Sequence, residues 1–180
     1  MAERAARALV TGGAGFIGSH LVDRLVREGH SVRILDCLEE PTHPGGRAPD
    51  HLNADAEFIL GDIRSVTDLE RAVTGVDVIF HLAATGGYRP DISRYFEVNT
   101  VGTARLMEAI GRTNPGLEKL FVASSMGVYG EGLYRCPSHG AFHPSMRHDG
   151  ALSKGDWEHT CPECGLQLIP QAVCEPTSVR

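Results

Sequence analysis

Three glycines recur at every third position in the segment TGGAGFIG, which directly follows the apolar residues 8–10. Glycine carries an entropic cost in an ordered structure, so this spacing indicates a place where side chains would obstruct something. A helix that begins here would offer free N–H groups and the positive end of its dipole to an anion. Gly12, Gly15 and Gly18 therefore predict a site for a phosphate-bearing ligand.

A second group of residues with ligand chemistry lies in the last third of the chain. The segments Cys136-Pro-Ser-His139-Gly and Cys161-Pro-Glu-Cys164-Gly share one design, with two residues between the ligands, proline after the first and glycine after the second. Three thiolates and one imidazole complete a closed tetrahedral zinc shell, which predicts a structural metal rather than a catalytic one. Reduced, buried cysteines without metal are the alternative. In another version of the shell a different histidine replaces His139, namely His143, His148 or His159.

Composition limits the ligands and partners that the chain can have. The 180 residues are 42% hydrophobic and 22% charged, which suffices for a globular domain with a proper core. The net charge of -6 gives no general attraction to nucleic acid or to an anionic membrane. The sequence shows no signal peptide and no spanning helix, so we expect a cytoplasmic protein with reduced cysteines.

Apolar runs and helical periodicity alternate along the first 124 residues. Strands are expected at residues 7–11, 31–36, 57–60, 76–81 and 119–124, and helices at 16–28, 66–73 and 92–112. This alternation predicts an α/β fold with a Rossmann-like, doubly wound parallel sheet. The pattern stops after Gly130, and four of the five cysteines follow it. We therefore expect a Rossmann-like domain over residues 1–130, which contains the predicted phosphate site, and a Cys/His-rich, zinc-binding insertion over residues 131–180.

Asp36 closes the first strand, glycine turn, helix and strand unit, at the place where a ribose diol is bound in such units. The long segment 37–56, rich in proline and glycine, is expected to form a loop over the adenosine edge. Cys37 stands where an arginine would bind a 2′-phosphate, which favours NAD over NADP.

The motifs together resemble the extended short-chain dehydrogenase/reductases, the NAD-dependent nucleotide-sugar epimerases and dehydratases. They are TGGAGFIGSHL, Asp36, Gly61-Asp62-Ile63, His81-Leu-Ala83-Ala84, Asn99 and Ser124-Ser125-Met-Gly-Val-Tyr-Gly130. The resemblance implies that the pyrophosphate lies on the glycine motif, including Gly12, Gly15, Phe16, Ile17 and Gly18. It places the adenosine ribose on Asp36, adenine by Asp62 and Ile63, and the nicotinamide half along Ala83, Ala84 and Asn99.

Three of these residues also have purely structural interpretations. Asp62 could cap the helix that follows it. His81 fits a packed, hydrogen-bonded residue at a strand end better than a catalyst. Asn99 could serve as a bridge within its helix.

Catalysis in this family uses a tyrosine and a lysine four residues apart, with a serine or threonine that holds the sugar hydroxyl. Ser125 matches that serine. No Tyr-x-x-x-Lys occurs in these 180 residues. Either Gly150 replaces the tyrosine four residues before Lys154, or residues 176–180 lead into a motif in a C-terminal catalytic part that this chain lacks. On both interpretations we expect the chain to be inactive alone.

The resemblance also indicates the type of reaction. Family dehydratases carry an acidic pair after the serine position and decarboxylases keep a glutamate there, but this chain has Met126 and Gly127. The pattern favours C4 epimerisation of a UDP- or dTDP-linked sugar through a 4-keto intermediate. The family often forms homodimers through the helix predicted at 92–112. The alternative is a non-catalytic NAD-binding module with a structural zinc clasp.

Overall fold

A computed structural model of the chain describes residues 5–87 and 90–174. Residues up to Ala123 form one compact unit, and residues from Ser124 onward form a second. Composition places this boundary later, after Gly130. The division comes earlier because the last parallel strand ends at Val122, and the 3-10 helix Met126–Tyr129 belongs to the second unit.

The first unit is a parallel sheet with helices, as the sequence predicts. Its five strands are β1 (Arg7–Thr11), β2 (Ser31–Asp36), β3 (Glu57–Leu60), β4 (Val78–His81) and β5 (Lys119–Val122). Its helices are α1 (Phe16–Arg27), α2 (Val66–Val73), α3 (Ile92–Tyr95) and α4 (Thr103–Thr113). The strand order is β3-β2-β1-β4-β5, and every pairing is parallel. The Rossmann-like fold is confirmed.

The predicted helix at 92–112 is not uniform. Between α3 and α4 the chain forms a π-helical segment, Phe96–Gly102. A π turn takes an extra residue, which a spacing of four in the sequence does not reveal. Strand β4 also starts two residues later than predicted, because Val76 N–H bonds Val73 O in the turn after α2.

Both faces of the parallel sheet are buried at its central strands β1 and β2. Side chains of successive strand residues point to opposite faces, so Leu9 packs on one side, with residues of α2 and α4. Ala8 and Val10 pack on the other side, against Val22 and Leu25 of α1. Burial on both sides explains why the strands read as continuous apolar runs rather than alternating ones.

The second unit contains a small antiparallel sheet that the sequence pattern did not predict. Its strands are β6 (Leu133–Cys136), β7 (Gly140–Phe142) and β8 (Ile169–Gln171), in the order β7-β6-β8, and a short helix α5 spans Asp149–Leu152. Among its described residues the buried core consists of Cys136, Cys161 and Leu168, flanked by Tyr134 and Phe142. This is little apolar surface for a unit of its size.

None of the helices in the described parts of the chain combines the length and apolar character needed to cross a membrane.

Substitution of Gly18 by alanine tests the packing at the start of α1. A Cβ at this position would lie 2.1 Å from the carbonyl oxygen of Gly12, so no side chain fits without moving the glycine turn. We expect Gly18→Ala to lower the free energy of unfolding by about 3 kcal/mol, measured by urea denaturation. Gly111→Ala is the control, because Gly111 is an exposed residue of α4 with nothing within 4 Å of its added Cβ. This control should stabilise the chain by up to about 1 kcal/mol. A Gly18→Ala variant as stable as the wild type would contradict the packing described here.

Candidate cofactor site and metal centre

The turn between β1 and α1 lies directly against the end of β4. Gly12 has a φ of +70°, and a Cβ there would lie 2.8 Å from the backbone nitrogen of Ala83. Gly15 is the N-cap of α1, and the first turn of this helix has neither a capping side chain nor an acidic residue. The start of α1 therefore keeps backbone N–H groups that can bind an anion.

Asp36 is held rigidly at the end of β2. Its carboxylate accepts hydrogen bonds from Ala14 N–H at 3.0 Å and from Leu38 N–H at 2.9 Å. The Nε2 atom of the buried His43 lies 3.6 Å from the same carboxylate. These contacts fix the Asp36 side chain beside the glycine turn.

A cleft opens outside the carboxyl ends of the strands, next to β1 and β4, where the strand order reverses. This is the location at which doubly wound sheets bind their ligands. Seven of the residues predicted to bind cofactor line it, namely Gly12, Gly15, Asp36, Asp62, Ile63, Ala83 and Ala84.

Four other predicted residues are not among those that line the cleft. Phe16 and Ile17 lie in the first turn of α1 with their side chains 80% and 69% exposed. Gly18 is buried against the glycine turn, so its role is close packing of the helix on the turn. Asn99 accepts from Thr85 N–H at 2.8 Å and donates to Thr85 O at 3.0 Å. Asn99 therefore holds the loop after β4 in place from outside the cleft lining.

The structure shows that Asp62 is not the cap of the following helix. Ser65 takes that position, and its hydroxyl accepts from Asp68 N–H. Asp62 instead forms an ion pair with Arg64, whose Nε lies 2.9 and 3.0 Å from the two carboxylate oxygens. Burial acts to raise the pKa of Asp62, but the hydrogen bonds from Arg64 outweigh it and lower the pKa overall.

One wall of the cleft consists of loop residues, of which the sequence singles out only Cys37. The loop after β2 contributes Cys37 and the run Glu39-Glu40-Pro41-Thr42-His43. The sequence predicted a loop over this edge, but proline and glycine content does not tell which of its side chains face the ligand.

His81 is a structural residue, as the sequence favours. Its Nδ1 lies 2.7 Å from Thr11 Oγ1 and its Nε2 lies 2.9 Å from Thr103 Oγ1. Burial lowers the pKa of His81. A neutral ring bonded on both sides ties β1, β4 and α4 together.

Ser125 belongs to the second unit. Its hydroxyl accepts from Gly127 N–H at 3.1 Å and caps the 3-10 helix Met126–Tyr129. Gly150 lies within α5, and Lys154 follows the end of that helix. The segment 176–180, predicted to lead into a Tyr-x-x-x-Lys motif, is outside the described residues.

The four predicted metal ligands converge in the second unit. The ligand atoms of Cys136, His139, Cys161 and Cys164 all lie within 4.8 Å of one another. The Cys136 and Cys164 sulfurs are 3.7 Å apart, and His139 Nδ1 is 3.6 Å from Cys136 Sγ and 3.5 Å from Cys161 Sγ. A tetrahedral zinc with ordinary bond lengths sets its sulfurs about 3.8 Å apart and a sulfur and nitrogen about 3.6 Å apart.

Backbone geometry supports the same cluster. The glycines after the second ligand of each pair, Gly140 and Gly165, have φ values of +84° and +71°. Burial acts to raise the pKa of Cys136, but N–H groups of Ser138 and His139 and the neighbouring thiols lower it overall.

His159, which lies two residues before Cys161 in the sequence, has partners outside the metal cluster. His159 Nε2 lies 3.1 Å from Glu131 Oε2, and its ring packs edge-on against Tyr134. His139 is therefore the histidine that joins the cysteines among the described residues. The opposite ring nitrogen of His139 lies 3.6 Å from Glu163, a carboxylate that can orient the ring.

The strand order, the glycine turn before α1 and the acidic end of β2 are those of a Rossmann-like fold, which in other proteins binds dinucleotides at this edge of the sheet. Residues 8–147 match the NAD dependent epimerase/dehydratase family, and the chain belongs to this family.

Individual relatives are similar to the chain over much of its length. The dTDP-L-rhamnose 4-epimerase of Burkholderia thailandensis is 31% identical over 95% of this chain and 48% of its own length. A bovine sterol-4-alpha-carboxylate 3-dehydrogenase, decarboxylating, is 32% identical over 72% of this chain and 33% of its own length. The structure of the UDP-glucuronic acid 4-epimerase from Bacillus cereus in complex with NAD has a TM-score of 0.58 and 37% identity, covering 69% of this chain and 42% of that one. The chain thus spans half or less of the length of each.

Proposed function

We propose that the chain is the cofactor-binding portion of an NAD-dependent nucleotide-sugar 4-epimerase. The observation that carries this proposal is the cleft, which joins a glycine turn, the buried carboxylate of Asp36 and the ends of β3 and β4 in one unit. The similar 4-epimerases, one of them solved with NAD, support the same assignment.

The residues of the cleft suit the parts of NAD. Gly12 and Gly15 line the cleft at the start of α1, where a pyrophosphate would lie, and the fixed carboxylate of Asp36 can accept hydrogen bonds from both ribose hydroxyls. Asp62 and Ile63 would flank adenine, while Ala83 and Ala84 would lie along the nicotinamide half. Bound NAD would supply a hydride acceptor and return the hydride to the sugar.

The residues after Ser125 favour epimerisation over elimination or decarboxylation. Removal of water or carbon dioxide needs an additional acid or base, whereas Met126 and Gly127 provide none. Hydride removal and return at C4 of a UDP- or dTDP-sugar, through a 4-keto intermediate, needs only a base and NAD. Ser125 would hold the sugar hydroxyl. A decarboxylating reaction like that named for the bovine relative is therefore disfavoured.

Homodimer formation and cellular location are two further predictions for the whole protein. Exposed apolar side chains on the helical segment 92–113, including Ile92, Phe96 and Met107, suit a homodimer contact. We also expect the protein to act in the cytoplasm.

We also propose a structural zinc ion bound by Cys136, His139, Cys161 and Cys164. The spacing of the ligand atoms suits a tetrahedral shell with no open position, so the metal would hold the unit together and take no part in catalysis. The small apolar core of the second unit supports a need for metal, because so few buried side chains contribute little stability to a small unit.

Cofactor preference tests the dinucleotide site. We expect isothermal titration calorimetry to show tighter binding of NAD than of NADP, because Asp36 would repel a 2′-phosphate and lose its ribose hydrogen bonds. Asp36→Ala should weaken NAD binding by about tenfold and relax the preference. Asp50→Ala, at an exposed aspartate of the following loop, is the control and should bind like the wild type. Equal or tighter binding of NADP by the wild type would refute the assignment of Asp36.

Metal analysis tests the second unit. Protein purified without chelator should contain a single zinc per chain, and the zinc should be released by acid or strong chelators because thiolate ligands must stay deprotonated. Cys161→Ser should lose the metal, whereas Cys174→Ser, outside the cluster, should keep it. Zinc that is absent from the wild type, or retained in full by Cys161→Ser, would exclude this shell.

An enzyme assay tests whether these 180 residues bind the cofactor without catalysing the reaction. These 180 residues should bind NAD but neither epimerise UDP- or dTDP-sugars nor form NADH with them, because no tyrosine has a lysine four residues on. Lack of such an acid–base group typically costs roughly a hundredfold to ten-thousandfold in rate. Turnover at the rate of a working enzyme would mean that another residue is the base. A Tyr-x-x-x-Lys encoded shortly after Arg180 would favour the epimerase over the non-catalytic NAD-binding module.

A further inference from the structure

A charged recess adjoins the cleft beside Cys37. The recess is lined by Cys37, Glu39, Asp62, Arg64, Asp91 and Arg94. Cys37, Glu39, Asp62 and Arg64 also line the main cleft, so the two spaces are neighbours that share these side chains. Cys37, which follows Asp36 in the sequence, is not basic. The guanidinium groups of Arg64 and Arg94 nevertheless line the same recess as Cys37.

Both arginines are engaged by carboxylates. Glu39 forms a close ion pair with Arg94, and its Oε2 lies 4.0 Å from Arg64 Nη2. Arg64 in turn forms its main pair with Asp62. Nε of Arg94 is buried, and no described residue accepts a hydrogen bond from it.

The 2′-phosphate of NADP would enter on this side. It is attached to the ribose that Asp36 would bind, it carries a charge of about -2, and arginine is its usual partner. Without Glu39, Arg94 would lose the carboxylate with which it forms its close ion pair. Arg64 would lose one of the carboxylates near its guanidinium. With Glu39 present, the arginines are neutralised and the recess carries an excess of negative charge.

We propose that Glu39 is a second determinant of cofactor choice, which keeps Arg94 and Arg64 from binding the 2′-phosphate of NADP. The inference rests on the NAD site proposed above. It makes NADP rejection depend on a contact between residues 55 positions apart, in addition to the repulsion by Asp36.

Calorimetric titration of the 180-residue chain with NAD and with NADP tests this role. Glu39→Gln should lower the ratio of the NADP dissociation constant to that of NAD by about tenfold, because one charge-assisted contact is gained. Glu70→Gln is the matched control, since it removes the same charge and a similar pair, with Arg112 at 3.1 Å, outside the cleft. This control should leave the ratio unchanged.

Two further variants separate the arginine mechanism from a general loss of negative charge. Glu39→Ala should shift the ratio in the same direction as Glu39→Gln, and adding Arg94→Gln to Glu39→Gln should remove most of the gain. An unchanged ratio in Glu39→Gln, or a gain fully retained without Arg94, would overturn the proposal. Loss of NAD binding in both neutral variants would overturn it as well, because Glu39 would then be required for NAD itself. Failure of the wild type to bind either dinucleotide would instead refute the proposed NAD site.

Discussion

The close approach of three backbone segments, the glycine turn, the start of α1 and the end of β4, is the constraint on which the cleft depends. Gly12 touches the backbone of Ala83, and Gly18 touches the backbone of Gly12. A side chain at either position would push α1 away from the sheet. Because the segments meet without side chains between them, the start of α1 and the carboxylate of Asp36 reach the same small space, and Ala14 N–H bonds that carboxylate directly.

The two units are stabilised by different interactions. The first buries apolar side chains on both faces of a parallel sheet, with His81 as a neutral polar link between Thr11 and Thr103. The second has a small apolar core and places three thiols and an imidazole at its centre. In our account a metal ion there replaces the apolar burial that a larger domain would have.

Local signals in the sequence predict much of the first unit. Strands β1, β2 and β3 and helix α2 have the predicted bounds, because continuous apolar runs and flanking turn residues specify them over short distances. The ligand pairs at Cys136 and Cys161 are each equally local, and their convergence could be predicted because together they complete a four-ligand zinc shell.

Features that depend on distant partners could not be predicted in this way. The π-helical segment contains Asn99, whose side chain bonds the distant Thr85, and strands β6–β8 are too short to show alternation. The pairing of Glu39 with Arg94 joins a loop to a helix far along the chain, and nothing in the spacing of either residue indicates it.

A crystal structure of the chain with NAD would test the proposed cofactor site directly. We expect electron density for the pyrophosphate at the N–H groups of the first turn of α1, with the adenosine ribose hydroxyls within hydrogen-bonding distance of Asp36. The cofactor should leave the backbone contacts of Gly12 unchanged, since the turn already has the required shape. Density for NAD elsewhere on the chain, or a ribose that does not reach the Asp36 carboxylate, would contradict the account.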